Sequence, residues 1–309
     1  MAILPTIQSE NSSYRQVRTF ACAAAGLVVC FGPILLKFGR FAIRTEFDSY
    51  LLAVPAIATA MVWLRWKRDP AYSEPNRGLA IALVAAGMAL GLCWVMSNSG
   101  GAWTANPLTP AMLSFVLLLA GFAAWFLGRQ MLGSLGFPLG FLIFMVPLPT
   151  SFTAGLEYFL QHASASLANV AFQMSDLPVF RRSDLVFQLP GITLEVSPEC
   201  SGIQSTVALF VVSLAAGYLV LRSPWKRAVL SLAVIPLGIL RNAVRIVTIG
   251  ELCVHVGPDM IHSYIHRKGG WIFFLVSLVP FLVLLLFFVH SERAGSGQNR
   301  QIKKDPCRN

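Results

Sequence analysis

The sequence predicts an all-α polytopic membrane protein with about eight transmembrane helices and a small β-hairpin segment on its outer face. The chain has 309 residues, of which 56% are hydrophobic and only 12% charged, whereas soluble domains are about 25% charged. Apolar runs near the roughly 20 residues that cross a bilayer recur along the chain. One polar stretch between them alternates around a Pro-Gly pair, which is typical of a hairpin.

The apolar runs divide the chain into three regions. We expect N-terminal membrane helices over 1–109, a membrane core over 110–290 and a polar, unstructured tail over 291–309. The second and fifth runs are short for a span, and the seventh is interrupted by two arginines. The eight runs cover residues 19–36, 49–64, 78–97, 109–128, 132–148, 201–221, 228–249 and 271–290.

The distribution of Lys and Arg orients these spans. If the N-terminus is cytoplasmic, 15 basic residues fall in inner segments and 7 in outer segments. This excess predicts that both termini are cytoplasmic and that segment 149–199 lies outside, although three basic residues in the first outer loop argue mildly against it. The same bias accounts for the net charge of +10. Because no nucleic-acid-binding motif accompanies that charge, we expect a lipid bilayer and no nucleic acid as partner.

The outer segment predicts a helix followed by a hairpin. Residues 153–174 suit a helix lying on the membrane surface, and 185–189 and 192–196 suit two strands joined by Pro190 and Gly191. The alternation of apolar residues in the second strand predicts one buried sheet face.

Cys200 follows this hairpin directly. Ser197 as N-cap and Pro198 as first helical residue predict that Cys200 lies in the first turn of span six. A helix N-terminus favours the thiolate, whereas the neighbouring Glu199 opposes it. No CxxC pair occurs, so neither a zinc site nor a disulfide framework is indicated. From the residues alone, Cys200 is either a nucleophile or a small packing residue.

Two further polar clusters lie towards the same membrane face. Arg241 and Arg245 are four residues apart in span seven and share a helical face, with Asn242 between them; a central arginine costs about 2.5–3.5 kcal/mol on insertion scales. Snorkelling explains Arg245, whereas Arg241 is deeper and needs a partner, a cavity or a bend at Pro236. His262 and His266, four residues apart in the loop before span eight, support metal binding only weakly, because no carboxylate motif accompanies them. The Asp, Glu, His, Arg and Lys residues of this loop are Glu251, His255, Asp259, His262, His266, Arg267 and Lys268.

The predicted topology brings a cysteine, arginines and a histidine to one membrane face on consecutive spans. Acyl transfer requires a nucleophile, a cation for a developing oxyanion and a proton-transfer group. At these positions the sequence resembles the exosortase/archaeosortase family of membrane transpeptidases. The resemblance covers about residues 110–290 and rests on three motifs: Glu199-Cys200-Ser201-Gly202-Ile203, Arg241-Asn242-Ala243-Val244-Arg245-Ile246 and His266-Arg267-Lys268-Gly269-Gly270-Trp271.

The resemblance implies a role for each matched residue. Cys200 would be the nucleophile, Arg245 the essential arginine and His266 the histidine; the supporting residues would be Arg241, Asn242 and Glu199. It implies a bacterial inner-membrane enzyme that uses no metal or cofactor and acts at the periplasmic face. Its substrates would be exported proteins that end in a short motif such as Pro-Glu-Pro, an apolar span and a basic cluster. The enzyme would cleave this sorting signal and transfer the protein to an acceptor.

Two other functions are compatible with a membrane protein of this composition. A transporter or carrier would use the intramembrane arginines to bind an anion, and it predicts a polar path towards the cytoplasm. The inner halves of spans six to eight contain no Asp, Glu, Lys or Arg, which weighs against this path. A membrane scaffold would leave the convergence of the three clusters unexplained.

The orientation can be tested with topology reporters. We predict that a reporter fused after Gly100 or within 176–196 reads as outside, because positively charged loops stay in the cytoplasm. A reporter after Arg227 or at the C-terminus should read as inside. A cytoplasmic reading for 176–196 would place Cys200 on the wrong face for exported substrates.

Overall fold

The computed structural model describes residues 4–44, 50–66, 74–97, 105–175, 178–197, 201–257 and 270–302. These residues are mostly helical and include one small sheet, as predicted. The chain divides into two compact units, Met1–Thr150 and Ser151–Asn309.

The described residues of the first unit form six α-helices and two 3₁₀ turns, one over residues 50–52 and one over Leu142–Met145. Helices α4 and α5 pack closely, because Gly87 leaves room for Leu118 and Gly121 for Val84. The hydroxyl of Ser114 donates to the Gly87 carbonyl at 2.7 Å, a typical contact between closely packed membrane helices. The helices are α1 (Leu4–Cys30), α2 (Gly32–Arg44), α3 (Ala53–Trp66), α4 (Arg77–Ser97), α5 (Ala105–Phe126) and α6 (Gly128–Phe141).

The first predicted span is not one straight helix. Helices α1 and α2 meet at Phe31 with a bend of 69° between Arg15–Cys30 and Gly32–Arg44. Pro33 accounts for the break, because it has no amide hydrogen and its ring disfavours a continuous helix through the preceding turn.

In the second unit the structure describes a long helix, a sheet and four further helices. Its elements are α7 (Thr150–Gln173), β1 (Phe180–Ser183), β2 (Val186–Leu189), β3 (Ile192–Glu195), α8 (Ile203–Val220), α9 (Pro224–Leu232), α10 (Val234–His255) and α11 (Gly270–Ile302). Apolar side chains of α8 to α11 form one core cluster, whose buried members include Leu209, Leu230, Val234 and Phe281.

The sheet confirms the predicted hairpin and adds a strand. Strands β2 and β3 are antiparallel and pair Leu189 with Ile192 across Pro190 and Gly191. Gly191 has a φ of +78°, which suits the third position of a Pro-Gly type II turn. Strand β1 pairs with the other edge of β2, giving the order β1-β2-β3.

The sheet has one buried face, as the alternation predicts. This face packs on α7 and α10, and a Cβ added at Gly250 of α10 would lie 2.8 Å from the Phe172 ring. The close approach at Gly250 therefore joins the sheet core to helix α10. The buried members of the cluster are Ala165, Ala168, Phe172, Phe187, Leu189, Leu194, Val196, Ala243, Ile246, Ile249 and Cys253.

Five helical segments in the described residues are long and apolar enough to cross a membrane. Two pairs of shorter helices pass the same test only together, which raises the count to seven, and the predicted second span corresponds to the shorter apolar helix Tyr50–Leu64. The predicted count of eight is therefore not confirmed. The five segments are Arg77–Met96, Pro107–Phe126, Ile203–Val220, Pro224–His255 and Ile272–Ala294.

Two local predictions were wrong. Helix α8 begins at Ile203 with Gly202 as its N-cap, so Ser197 does not cap it and Cys200 precedes its first turn. The tail also begins as a helix, because α11 continues to Ile302. There the Glu292 carboxylate accepts the backbone amides of Arg222 and Ser223, each at 2.9 Å. This contact anchors the first turn of the tail.

Candidate active site

A buried arginine of α10 contacts the segment that follows Cys200. The Arg241 side chain is 7% exposed, and its Nη2 donates to the Gly202 carbonyl oxygen at 2.9 Å. Gly238, one turn earlier, lets the helices approach, because a Cβ there would lie 2.5 Å from Thr206 Oγ1 of α8. Close packing of α8 on α10 therefore positions the guanidinium.

Gly202 is required at this position for two reasons. Its φ is +68°, in the left-handed region that side chains with a Cβ disfavour. A Cβ would also lie 2.5 Å from Arg241 Nη2. The Gly202 carbonyl also accepts from the Thr206 hydroxyl at 2.9 Å, and buried Ser201 faces the Ile203 amide with its Oγ at 3.4 Å. The segment immediately after Cys200 is therefore tightly held.

The chain before Cys200 is also anchored, at the end of the hairpin. The Val196 amide donates to the Leu185 carbonyl at 2.9 Å. The Val196 carbonyl accepts from Nε2 of buried Gln161 on α7. Fixed points thus lie four residues before and two residues after the predicted nucleophile. Cys200 itself and Glu199 lie outside the described residues.

Two buried donors beside Gly202 have no hydrogen-bond partner in the described part of the chain. They are Arg241 Nη1 and Asn242 Nδ2, and the Asn242 side chain is only 1% exposed. Its Oδ1 lies 3.5 Å from the position of a Gly202 Cβ, so both side chains flank Gly202. Leaving a buried donor unsatisfied costs about 1–3 kcal/mol. An acceptor brought to this position, such as a peptide carbonyl, would remove that cost.

Arg245 lies one turn after Arg241 on α10 and is half-buried. The hydrogen-bonding of the span is interrupted before both arginines, because α9 ends at Leu232 and α10 begins at Val234. Pro236, which lacks the amide that would bond to Leu232, accounts for this interruption. Of the two arginines, Arg241 is the one that the structure shows in contact with the segment after Cys200.

The histidine cluster is only partly described. His266 lies outside the described residues, as do Asp259 and His262. Glu251 and His255, in the last turns of α10, contact each other at 3.2 Å between Oε2 and Nε2. Within the described ranges, no group of three His, Cys, Asp or Glu side chains is arranged to hold a metal ion.

Sequence reasoning missed three residues of this site. Gly202 was part of a motif but had no assigned conformation, and Thr206 and Gln161 had no assignment. A glycine directly before an apolar helical run is a signal for a left-handed residue. Gln161 carries no such local signal, since its partner is 35 residues away in sequence.

Comparison with known proteins identifies a family over most of the chain. The family model described as transmembrane exosortase matches residues 42–283. This range contains the three motifs noted in the sequence. No curated protein matches the chain, and no solved structure matches it.

The crowding at Gly202 can be tested against a matched glycine. We predict that Gly202→Ala lowers the free energy of unfolding by about 2–5 kcal/mol, because left-handed strain of about 1–2 kcal/mol adds to overpacking of about 1–3 kcal/mol. Gly191→Ala shares the positive φ but meets nothing within 4 Å, so only the strain applies. Unfolding of both variants in detergent measures the two free energies. Equal losses of stability would contradict the inference that Arg241 crowds position 202.

Proposed function

Since this chain belongs to the transmembrane exosortase family, we propose that it is a cysteine transpeptidase that cleaves the C-terminal sorting signal of exported proteins. The cleaved protein is then transferred to an acceptor. The observation that best supports this proposal is the buried contact between Arg241 and Gly202. It joins the arginine motif to the cysteine motif, as acyl-transfer chemistry requires.

The proposed reaction has two steps. The Cys200 thiolate attacks the scissile carbonyl carbon, and the oxyanion that forms accepts hydrogen bonds from Arg245. When the tetrahedral intermediate collapses, the C–N bond breaks, His266 protonates the leaving amine and a thioester remains on Cys200. In the second step His266 takes a proton from the acceptor nucleophile, which attacks the thioester. The thiolate then leaves and the enzyme is regenerated.

Arg241 and Asn242 have supporting roles in this mechanism. Arg241 holds the backbone after the nucleophile through the Gly202 carbonyl. The unsatisfied Arg241 Nη1 and Asn242 Nδ2 are suitable donors for a carbonyl of the bound sorting signal. Glu199 is a supporting residue by its motif position alone.

We further propose that the chain spans a bacterial inner membrane eight times, with both termini cytoplasmic. Tyr50–Leu64, the two helix pairs and the five long segments supply eight candidates. The substrate's apolar tail then lies beside spans six to eight, with its motif at the periplasmic surface. Family membership favours this use of the arginines over anion transport.

The nucleophile is tested by replacing cysteines one at a time. Cys200→Ala should abolish processing of a co-expressed exported protein that carries a sorting signal, because no thioester can form without the thiol. Cys22→Ala, Cys30→Ala and Cys93→Ala are matched controls in the first unit and should retain processing. Immunoblotting of precursor and product measures each variant, and full processing by Cys200→Ala would exclude this chemistry.

The two arginines are separated by lysine substitution. We predict near-complete loss of turnover in Arg245→Lys, because lysine keeps the charge but loses the planar fork that donates two parallel bonds to an oxyanion. Losing such a donor costs about 10²–10³ in rate. Arg241→Lys should be milder, since one ammonium donor is enough for the Gly202 carbonyl.

Processing rate and membrane abundance should be measured for both lysine variants, together with co-purification of substrate. Arg245→Lys should insert and still bind substrate. If Arg241→Lys is inactive and Arg245→Lys is active at equal abundance, the two roles are reversed.

A further inference from the structure

The outer edge of strand β3 presents unpaired backbone groups next to the candidate site. In an antiparallel pair, residues alternate between those bonded to the partner strand and those that point away. The Val196 amide donates to the carbonyl of Leu185, the residue directly before β2. By alternation, the backbone amides and carbonyls of Leu194 and Ile192 also point towards β2, where these residues lie opposite Phe187 and Leu189. The amides and carbonyls of Thr193 and Glu195 therefore point away from β2.

Nothing in the described part of the chain pairs with this edge. Beyond the β2 ladder, the backbone groups of Thr193 and Glu195 make no hydrogen bond to any residue that the structure describes. Both residues are exposed, whereas Leu194 between them is buried against the helices. Among the described residues the edge therefore has no backbone partner, and Leu194 anchors the strand from its buried face.

The opposite edge of the sheet is protected, which makes β3 the more suitable edge. Strand β1 is exposed throughout, contains Arg181 and Arg182, and has an irregular register between Arg181 and Ser183. Charged residues and bulges are the features that prevent an edge strand from pairing with another chain. Strand β3 has a regular register and only one charged residue, Glu195.

The direction of β3 leads from the sheet to the predicted nucleophile and into a membrane span. Glu195 is five residues before Cys200 and eight before Ile203, where α8 begins. At roughly 3.3 Å per residue, a peptide beside Thr193 and Glu195 reaches Cys200 within about seven of its own residues. A sorting signal, which continues into its own apolar span, has the same direction relative to the membrane.

From this geometry we propose that the outer edge of β3 binds the extended segment of the substrate that precedes the scissile bond, as an added parallel strand. The proposal rests on the proposed function, because it assumes a membrane-anchored peptide substrate. Strand addition recognises the peptide backbone and leaves selectivity to alternate side chains. The edge would fix the peptide's register so that the scissile carbonyl meets Cys200, while the donors beside Gly202 bind a later carbonyl.

Disulfide crosslinking tests the register directly. Thr193→Cys or Glu195→Cys is placed in the Cys200→Ala protein. The probe is an exported reporter ending in a Pro-Glu-Pro motif, an apolar span and a basic cluster, with single cysteines scanned through the ten residues before the span. Adjacent strands bring opposite Cβ atoms within about 5.5 Å, so mild oxidation should link the matching pair. Phe180→Cys on β1, 74% exposed, is the control.

Parallel addition predicts a specific shift. If residue 195 links best to one reporter position, residue 193 should link best to the position two residues nearer the reporter's N-terminus. A shift in the opposite direction, no positional preference, or equal linking to residue 180 would each overturn the proposal.

Proline substitution tests the same edge in the active protein. Thr193→Pro removes an amide that points away from β2, so the β2–β3 ladder should persist. We expect processing to fall about tenfold, because one strand-pairing bond is lost and the ring obstructs the edge. Arg181→Pro removes the corresponding outward amide of β1 and should process normally at equal membrane abundance. Unchanged processing by Thr193→Pro would overturn the proposal.

The two proposals fail in different ways. In one outcome, processing requires Cys200 but is unchanged by Thr193→Pro, and no crosslink depends on position. The transpeptidase proposal would then stand and the docking-edge proposal would fail. In the other outcome, crosslinks show the predicted register, but the parent and Cys200→Ala proteins process the reporter equally. The docking-edge proposal would then stand and the cysteine chemistry would fail.

Discussion

The hydrogen bond from Arg241 to the Gly202 carbonyl is the constraint on which the candidate site depends. Arg241 is buried, so its guanidinium has lost most of its hydration and must be compensated by polar partners. It finds one in a backbone carbonyl that is accessible only because residue 202 has no Cβ and adopts a left-handed conformation. Close packing of α8 on α10 at Gly238 makes this contact possible, and the contact in turn accounts for the glycine at position 202, directly before α8.

A second anchor acts from the other side of the predicted nucleophile. The sheet packs on α7 and α10 through its apolar face, and Gln161 binds the last residue of that face, Val196. Val196 and Gly202, on either side of the predicted nucleophile in sequence, are therefore each held by an element that involves helix α10. Holding a reacting group on rigid elements removes much of the entropy cost of reaching the transition state.

The sequence predicted those features that depend on local pattern. The β2–β3 hairpin followed from alternation and a Pro-Gly turn, and the apolar runs identified the long helices. Strand β1 was missed because Phe180–Ser183 is exposed throughout and has no alternation to detect. Ser197 and Pro198 are a strong local N-cap signal, yet α8 begins at Ile203. There a tertiary contact with Arg241, 39 residues away, overrides local preference. The convergence of cysteine and arginine motifs was expected from topology, whereas the buried unsatisfied donors required side-chain positions.

Two arginines on one face of α10 cost more stability than their structural role requires, so their presence needs a further physical reason. Holding the Gly202 carbonyl requires only one donor, which an uncharged amide could supply without the desolvation cost of a guanidinium. Arg245, one turn away, adds like-charge repulsion to that cost. Such an arrangement is favourable where negative charge appears nearby, because a preorganised cation in a site of low dielectric stabilises a developing anion far more than water does. In the proposed reaction, that charge is a thiolate or a tetrahedral oxyanion formed beside Gly202. The arginine pair thus destabilises the resting protein for the same reason that it is proposed to stabilise the transition state: its positive charge is held in place before the reaction supplies the negative charge.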